Sequence, residues 1–386
     1  MSGGSSHGPP VVVAALRSAI GTSGSRSPLA GLGAAELAAP VLAAVAGQLQ
    51  GHLDGPPDDV VLGNCMGPGG DVARVATLEA GLPASLPALT VDRQCASGLA
   101  AVTAAVATVR AGGGLVLAGG VESASTAPWR MWPPGAGAEP VRYERAPFAP
   151  ARLGDPDMGL AADLLAERYD VSRSEQDEYA ARSHARAAAA RDAGRFDAEV
   201  VEVAGVARDE RPRSGLTPER LARLRPMHRP EGTVTAGNSC GVNDGAAVVA
   251  VVDEPTRARL GMPGLRVLAT ATTAFDPNLP GLGLVSSSQQ ALQRAGLTWD
   301  DIDVVEFNEA FAGQVLACCR ELDVDPARVC PDGGALALGH PWGASGAVLV
   351  VRLFTALVRE GRGRRGLAAI AAGGGQGVAV VVEAVR

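Results

Sequence analysis

The chain contains no lysine. All 34 of its Lys/Arg positions are arginine, which removes Schiff-base chemistry and any catalytic lysine from consideration. Aromatic residues make up only 3% of the chain, so its core has to be built from Ala, Val and Leu. A basic field is missing as well. The formal net charge is −7, the charges are interspersed, and no polybasic or acidic tail is present, which argues against a nucleic-acid partner. The start, Met1 to Pro10, is polar and Gly/Ser-rich and lacks the charged and apolar regions of a signal peptide. No uncharged stretch reads as a membrane span; Ala335 to Val351 is apolar but Gly-rich and carries His340. The six cysteines (Cys65, Cys95, Cys240, Cys318, Cys319, Cys330) show neither zinc-ligand spacing nor a disulfide framework. A soluble, reduced, cytoplasmic protein with no metal, membrane or nucleic-acid partner is expected.

What the chain has is length, apolar mass and small residues. Its 386 residues are 47% apolar and include 50 glycines, enough to bury a large core and to allow close backbone approach. Three landmarks recur in the same order. Asp59-Val60-Val61-Leu62-Gly63-Asn64 is matched by Asp303-Val304-Val305-Glu306-Phe307-Asn308. Cys95-Ala96-Ser97-Gly98-Leu99 is matched by the small-residue segment from His340 to Gly346. The strand-like run Leu115 to Gly120 is matched by Leu367 to Gly375. The Asn-to-reactive-residue separations, 64 to 95 and 308 to 340, differ by a single residue, so a duplicated unit is expected. Strand patterns alternate with helical ones in both halves, which predicts α/β layers with mostly parallel strands. Helices are expected over Ala100 to Arg110 and Val348 to Arg359. Between the halves lie Pro/Gly/Trp-rich loops and a charged helical stretch from Ser172 to Gly194. Ser172 and Glu175 are spaced as a capping box.

The order and spacing of five motifs carry a resemblance. Val91-Asp92-Arg93-Gln94-Cys95-Ala96-Ser97-Gly98-Leu99 resembles the thiolase nucleophile segment, and Gly232 to Asn238 the end of the thiolase loop domain. Asn308-Glu309-Ala310-Phe311-Ala312 and Gly333 to Pro341 are similar to that family's Asn and His motifs, and Gly373-Gly374-Gly375-Gln376-Gly377 to its last motif. The resemblance covers residues 10 to 386. It implies duplicated half-domains in a five-layer α-β-α-β-α core with an inserted loop domain, CoA thioesters as substrates, no permanently bound cofactor, and a homodimer or homotetramer. The expected divisions are residues 1–120, completed by about 246–262, for the first half, 121–245 for the loop domain over the CoA site, and 263–386 for the second half.

Chemistry supports the same residues. Cys95 is expected at a strand-to-helix turn, where a helix N-terminus favours a thiolate, and His340 is a fitting base for the thiol proton. The resemblance assigns one oxyanion hole to the N–H groups of Cys95 and Gly373 and a second to His340 with a water held by Asn308. It makes Met158, Ala236, Cys240, Ala310 and Phe311 substrate-binding candidates, with Met227 and His228 near the rim. Glu309 is expected to support its loop, and Cys318 and Cys319 to pack.

The sequence also departs from the family. Thiolases usually carry a second catalytic cysteine where this chain has Ala371, so the α-proton transfer it performs, worth roughly 10²–10⁴-fold, has no group at that position. Cys240 stands where Ser is usual, Leu284 where Pro is usual, and Asp157 where some members have His. Three functions are therefore open: an acyltransferase that loads Cys95 from acyl-CoA or an acyl carrier protein and serves an acceptor needing no cysteine base, in a specialised biosynthetic pathway; an ordinary thiolase with a substituted proton carrier; or a non-catalytic acyl-CoA-binding subunit of a hetero-oligomer. A decarboxylating ketosynthase, with a comparable Cys-His-Asn set, is a neighbouring reading.

Overall fold

Runs of Val and Ala with no polar alternation, such as Val11 to Ala15 and Ala246 to Val252, are strands covered on both faces. All of these residues are buried. The computed structural model describes residues 8–24, 27–52 and 55–386; the Gly/Ser-rich start of the chain before residue 8 lies outside them. In the first half, β1 (Pro10–Ser18), β2 (Asp59–Gly63), β3 (Ala88–Val91), β4 (Leu115–Ser123) and β5 (Asn243–Asp253) run in the order β3-β2-β4-β5-β1. β2 is parallel to β3 and β4, and β5 is antiparallel to β4 and β1. The second half repeats this with β6 (Gly264–Ala274), β7 (Val304–Phe307), β8 (Arg365–Ala372) and β9 (Gln376–Val385), in the order β7-β8-β9-β6. β7 is parallel to β8, and the other pairs are antiparallel. An isolated parallel bridge from Val305 to Val329 stands where β3 stands in the first half. The two sheets join where β1 pairs with β6 at Val11–Arg266 and Val12–Leu265.

Three apolar clusters separate the layers. Helices α1 (Ala34–Leu49) and α2 (Val72–Glu79) cover the outer face of the first sheet through Leu37, Val41, Leu62 and Val248. Helices α6 (Gly283–Ala295) and α7 (Ala312–Leu322) cover the outer face of the second through Leu292, Val305 and Val381. Between the sheets lie α3 (Ser97–Arg110) and α8 (Trp342–Phe354), packed through Val102, Val106, Val251, Val351 and Val380. This is the duplicated five-layer arrangement expected. Each such side chain taken from water contributes about 1.5–3 kcal/mol, and most of the core is aliphatic because few aromatics exist to fill it.

Both central helices begin earlier than their apolar periodicity suggests. Helix α3 starts at Ser97 and α8 at Trp342, and each carries small residues in its first turns, Ser97, Gly98 and Ala100 in one and Gly343 to Gly346 in the other. Those residues are what let the two helices touch. A Cβ on Gly98 would stand 2.7 Å from the Gly343 carbonyl oxygen, and one on Gly346 2.5 Å from the Leu99 nitrogen. After Phe354 the helix widens into a π turn, Thr355–Arg359. The span Trp342–Arg359 is long and apolar enough to cross a membrane, yet 83% of it is buried between the sheets, as befits a core helix.

The first sheet's strands reach Ser123 and resume at Asn243, two or three residues beyond the expected edges of the loop segment at 121 and 245. Within it, α4 (Met158–Arg168) and α5 (Arg173–Asp192) pack against the second half. Ser172 and Glu175 form the expected capping box. Buried ion pairs fasten this segment to the core. Arg17 on β1 binds Glu199 at 2.8 Å and Asp209 at 2.7 Å, and Arg352 on α8 binds Glu199 and Asp332. Removing one partner of such a pair costs about 3–5 kcal/mol because the other charge stays buried.

Candidate active site

Cys95 follows a backbone strained into the left-handed region. Gln94 has φ 50°, which costs a non-glycine residue about 1–2 kcal/mol. The turn is held in three ways. Gln94 N–H donates to Asp92 at 2.7 Å, the Ser97 hydroxyl donates to the Gln94 carbonyl at 2.6 Å, and the Arg93 N–H donates to Ser97 Oγ at 2.8 Å. The result is a half-buried thiol two residues before α3.

His340 is buried two residues before α8. Its backbone N–H donates to Asn243 Oδ1 at 3.1 Å. Its Nδ1 lies 2.6 Å from Ser345 Oγ, and that hydroxyl donates to the Pro341 carbonyl at 3.2 Å. With its proton so used, Ser345 accepts from Nδ1, which assigns the proton to Nδ1 and leaves the Nε2 lone pair free. Asn308, just after β7, places Nδ2 3.4 Å from Nε2. Glu309 accepts from Tyr179 at 2.8 Å and Ser183 at 2.7 Å on α5, and from the Leu336 N–H. It supports the loop, as expected.

One cleft of about 120 Å³ brings together Cys95, His340, Asn308, Gly373, Ala371, Met158, Cys240, Ala310 and Phe311. The three-residue turn after β8 has Gly374 and Gly375 at φ 76° and 74°, a conformation open to glycine at little cost. That turn sets Gly373 at the wall. Leu165, Gln314 and Trp342 also line it and were not singled out from the sequence as site residues. Three candidates lie elsewhere. Met227 is 59% exposed and Ala236 is exposed on a turn. His228 packs on Gly159 and pairs with Asp157 at 3.1 Å. Leu284 does not shape the cleft either: it is buried in the outer core on α6, while Pro280 and Gly281 supply that wall. Cys318 and Cys319 are buried packing residues on α7.

The resting protonation state differs from the thiolate expected. Burial, with the Cys240 thiol as the next influence, pushes Cys95 up to about 12, and burial lowers His340 to about 4. The pair rests as neutral thiol and neutral imidazole. Such an imidazole is free to take the Cys95 proton as the sulfur attacks a thioester. Ser345, which fixes the base, went unnoticed in the sequence. Its signal was the one hydroxyl in a helix otherwise apolar but for Arg352. Among the described residues no cluster of His, Cys, Asp and Glu could hold a metal.

Residues 10–255 match the thiolase N-terminal domain and residues 262–384 the thiolase C-terminal domain. The chain is 41% identical to an acetyl-CoA acetyltransferase of Pseudomonas aeruginosa, over 96% of this chain and 98% of that one. Among solved structures, an acetyl-CoA acetyltransferase of Bacillus anthracis superposes with TM-score 0.90 at 35% identity, covering 98% of this chain and 99% of that one. Human mitochondrial 3-ketoacyl-CoA thiolase in complex with CoA superposes with TM-score 0.90 at 33% identity, covering 98% of each chain.

Proposed function

The chain belongs to the thiolase family and is an acyltransferase, and we propose that it carries its acyl group on Cys95, taken from a CoA thioester or an acyl carrier protein. The observation that supports this best is the convergence of Cys95, His340 and Asn308 in one apolar cleft, with His340 Nδ1 tied to Ser345. In loading, His340 Nε2 takes the thiol proton while the Cys95 sulfur bonds to the acyl carbon. The oxyanion that forms is met by the backbone N–H groups of Cys95 and Gly373, by likeness to the family. The intact set argues against a merely binding subunit.

The second half-reaction is where this chain differs. Ala371 puts a methyl group on the cleft wall, so an acceptor that brings its own activation, such as an activated carbon acid, an amine or an alcohol in a specialised pathway, needs nothing further. A second reading, ordinary thiolase chemistry with another proton carrier, is favoured by one observation: Cys240 lines the same cleft. The chain is also proposed to work as a dimer or tetramer. Leu89, on the edge strand β3, is 51% exposed, a surface that pairing with a second copy would cover.

Intact-mass spectrometry with a panel of acyl-CoAs, followed by peptide mapping, tests the reading. A thioester adduct on Cys95 is expected. No adduct with any acyl-CoA or acyl carrier protein would leave the binding subunit as the better account.

A further inference from the structure

Cys240 is held by the two loops that carry the reactive residues. Its N–H donates to the Ala310 carbonyl at 2.9 Å, and the Ala312 N–H donates to the Asn238 carbonyl at 2.9 Å. Ser239 bridges to Phe311, and Val242 bridges to His340. The segment 238–243 therefore spans from the Asn308 loop to the His340 loop, with the Cys240 thiol in the cleft that Cys95 and Ala371 also line.

Behind it lies an unusual cation. Arg211 is half-buried, makes no hydrogen bond or ion pair among the described residues, and has its Nε buried without a partner. Its guanidinium lies against Gly241: a Cβ there would stand 2.0 Å from Arg211 Nη1. Glycine at 241 is what admits the charge next to Cys240. The fully buried Arg17 and Arg352 are paired with carboxylates, and half-buried Arg359 is held by the Thr355 hydroxyl and the Ala15 carbonyl. Burial pushes the neighbouring Cys240 thiol up to about 12, and the Arg211 guanidinium works against that rise.

We propose that Cys240, with the Arg211 guanidinium packed behind it at Gly241, is the acid–base residue of the carbon–carbon step, in place of the group that Ala371 cannot supply. The proposal rests on the loading of Cys95 set out above. In loading, the Cys95 proton passes to His340 as the new S–C bond forms. The departing CoA sulfur takes the Cys240 proton, leaving an imidazolium and a Cys240 thiolate. The thiolate then removes an α-proton from a second acyl-CoA. The carbon so freed bonds to the acyl carbon, the bond from that carbon to Cys95 breaks, and the Cys95 sulfur recovers its proton from His340. Cys95, His340 and Cys240 are all restored, and one CoA thiol and one 3-ketoacyl-CoA are released.

Exchange of acetyl-CoA α-protons in deuterated water, followed by NMR alongside the Cys95 adduct by mass, tests this. Wild type is expected to load and to exchange. Cys240→Ser should still form the adduct, which also reports an intact fold, and should lose roughly 10²-fold in exchange and condensation. Adding Ala371→Cys to Cys240→Ser should restore part of the exchange. Arg211→Gln should lower kcat about tenfold with little change in KM, and Arg211→Lys should recover part of it, which a packing role would not do. Exchange undiminished in Cys240→Ser, or a wild type that loads without exchanging, overturns the proposal and favours the self-activated acceptor. Absence of the Cys95 adduct in wild type is a separate failure, that of the loading reading itself.

Discussion

Asn64 and Asn308 close the same strand in the two halves, and their surroundings give them different partners. Gly63 pairs with Gly120 across β2 and β4, and Phe307 pairs with Ala369 across β7 and β8. Two residues further along stand Glu122 in the first half and Ala371 in the second. Glu122 is fully buried. It accepts from Asn64 Nδ2 and from the backbone N–H groups of Cys65, Met66 and Gly343, all at 3.0–3.1 Å. Asn64 is thereby locked into the wall, and the first turn of α8 is anchored beside α3. At Ala371 there is no carboxylate to capture Asn308, so its amide faces the cleft and His340. The duplicated frame supplies two equivalent corners. A buried acid fastens the Asn of one, and a methyl group leaves the Asn of the other facing the cleft.

The largest expected effect comes from the turn that the structural corner supports. Cys95→Ser should cut acyl transfer by about 10⁴-fold or more and leave no adduct in intact-mass spectra, with an unchanged circular dichroism spectrum. Retention of a covalent acyl-enzyme in that variant would move the chemistry to another thiol and undo the division of labour between the corners.

A direct contrast comes next. Glu122→Ala strands buried N–H groups and should destabilise the protein by about 3 kcal/mol, read from denaturant unfolding. Asn308→Ala should change stability by less than about 1 kcal/mol and lower turnover roughly 10²-fold. If both variants unfold alike, Asn308 is a structural residue and the contrast fails.

The sequence carried the frame well because its signals are local: continuous Val/Ala runs for doubly covered strands, glycines where helices meet, and one Asn spacing repeated. That Cys95, His340 and Asn308 would share one cleft was legible by the same repetition. Less legible were interactions across distant segments. Glu122 reads as a stray acid at the end of an apolar strand, and only pairing shows that it fills the position of Ala371. Ser345 lies in a quoted motif, yet its partner depends on which way the imidazole turns. Met227, His228 and Ala236 were placed by likeness, the first two near the rim; none of the three lines the cleft, and His228 packs on Gly159 beside the lining residue Met158. The helix-terminus reasoning for Cys95 left out burial, which pushes its thiol up to about 12.

Acidity distinguishes the halves again. His340 is depressed from 6.5 to about 4 by burial, so the folded protein binds fewer protons than the unfolded chain between those values, and stability falls as pH drops from about 6.5 to 4. For this one group the loss is at most about 3 kcal/mol. His184, lowered to about 4 by burial and by Arg211 and Arg213, adds a similar slope. His340→Asn should remove about half of that slope in pH-dependent unfolding. Loading by wild type should stay level down to about pH 5 and fall near pH 4. A loss centred near pH 6.5 would show that the folded protein leaves His340 accessible to water.

The smallest effect tests how each half uses a serine near its reactive residue. Ser97 ties backbone to backbone, joining Arg93 N–H to the Gln94 carbonyl, so Ser97→Ala should cost about 1–2 kcal/mol of stability and loosen the strained turn under Cys95. Ser345 ties a side chain: it takes the Nδ1 proton at 2.6 Å and passes its own to Pro341. Without it the imidazole is free to carry its proton on Nε2, where it cannot act as base toward Cys95. Ser345→Ala should therefore slow loading about tenfold, equal to roughly 1.4 kcal/mol, with KM nearly unchanged. Stability should fall by about 1–2 kcal/mol, the cost of leaving the buried Nδ1 without its hydroxyl partner. Ser345→Thr keeps the hydroxyl and should recover most of the rate, read by single-turnover loading. A Ser345→Ala enzyme that loads at the wild-type rate would show that Asn308 Nδ2, donating to Nε2 from 3.4 Å, fixes the tautomer alone, and the free corner would then need only one residue to orient its base.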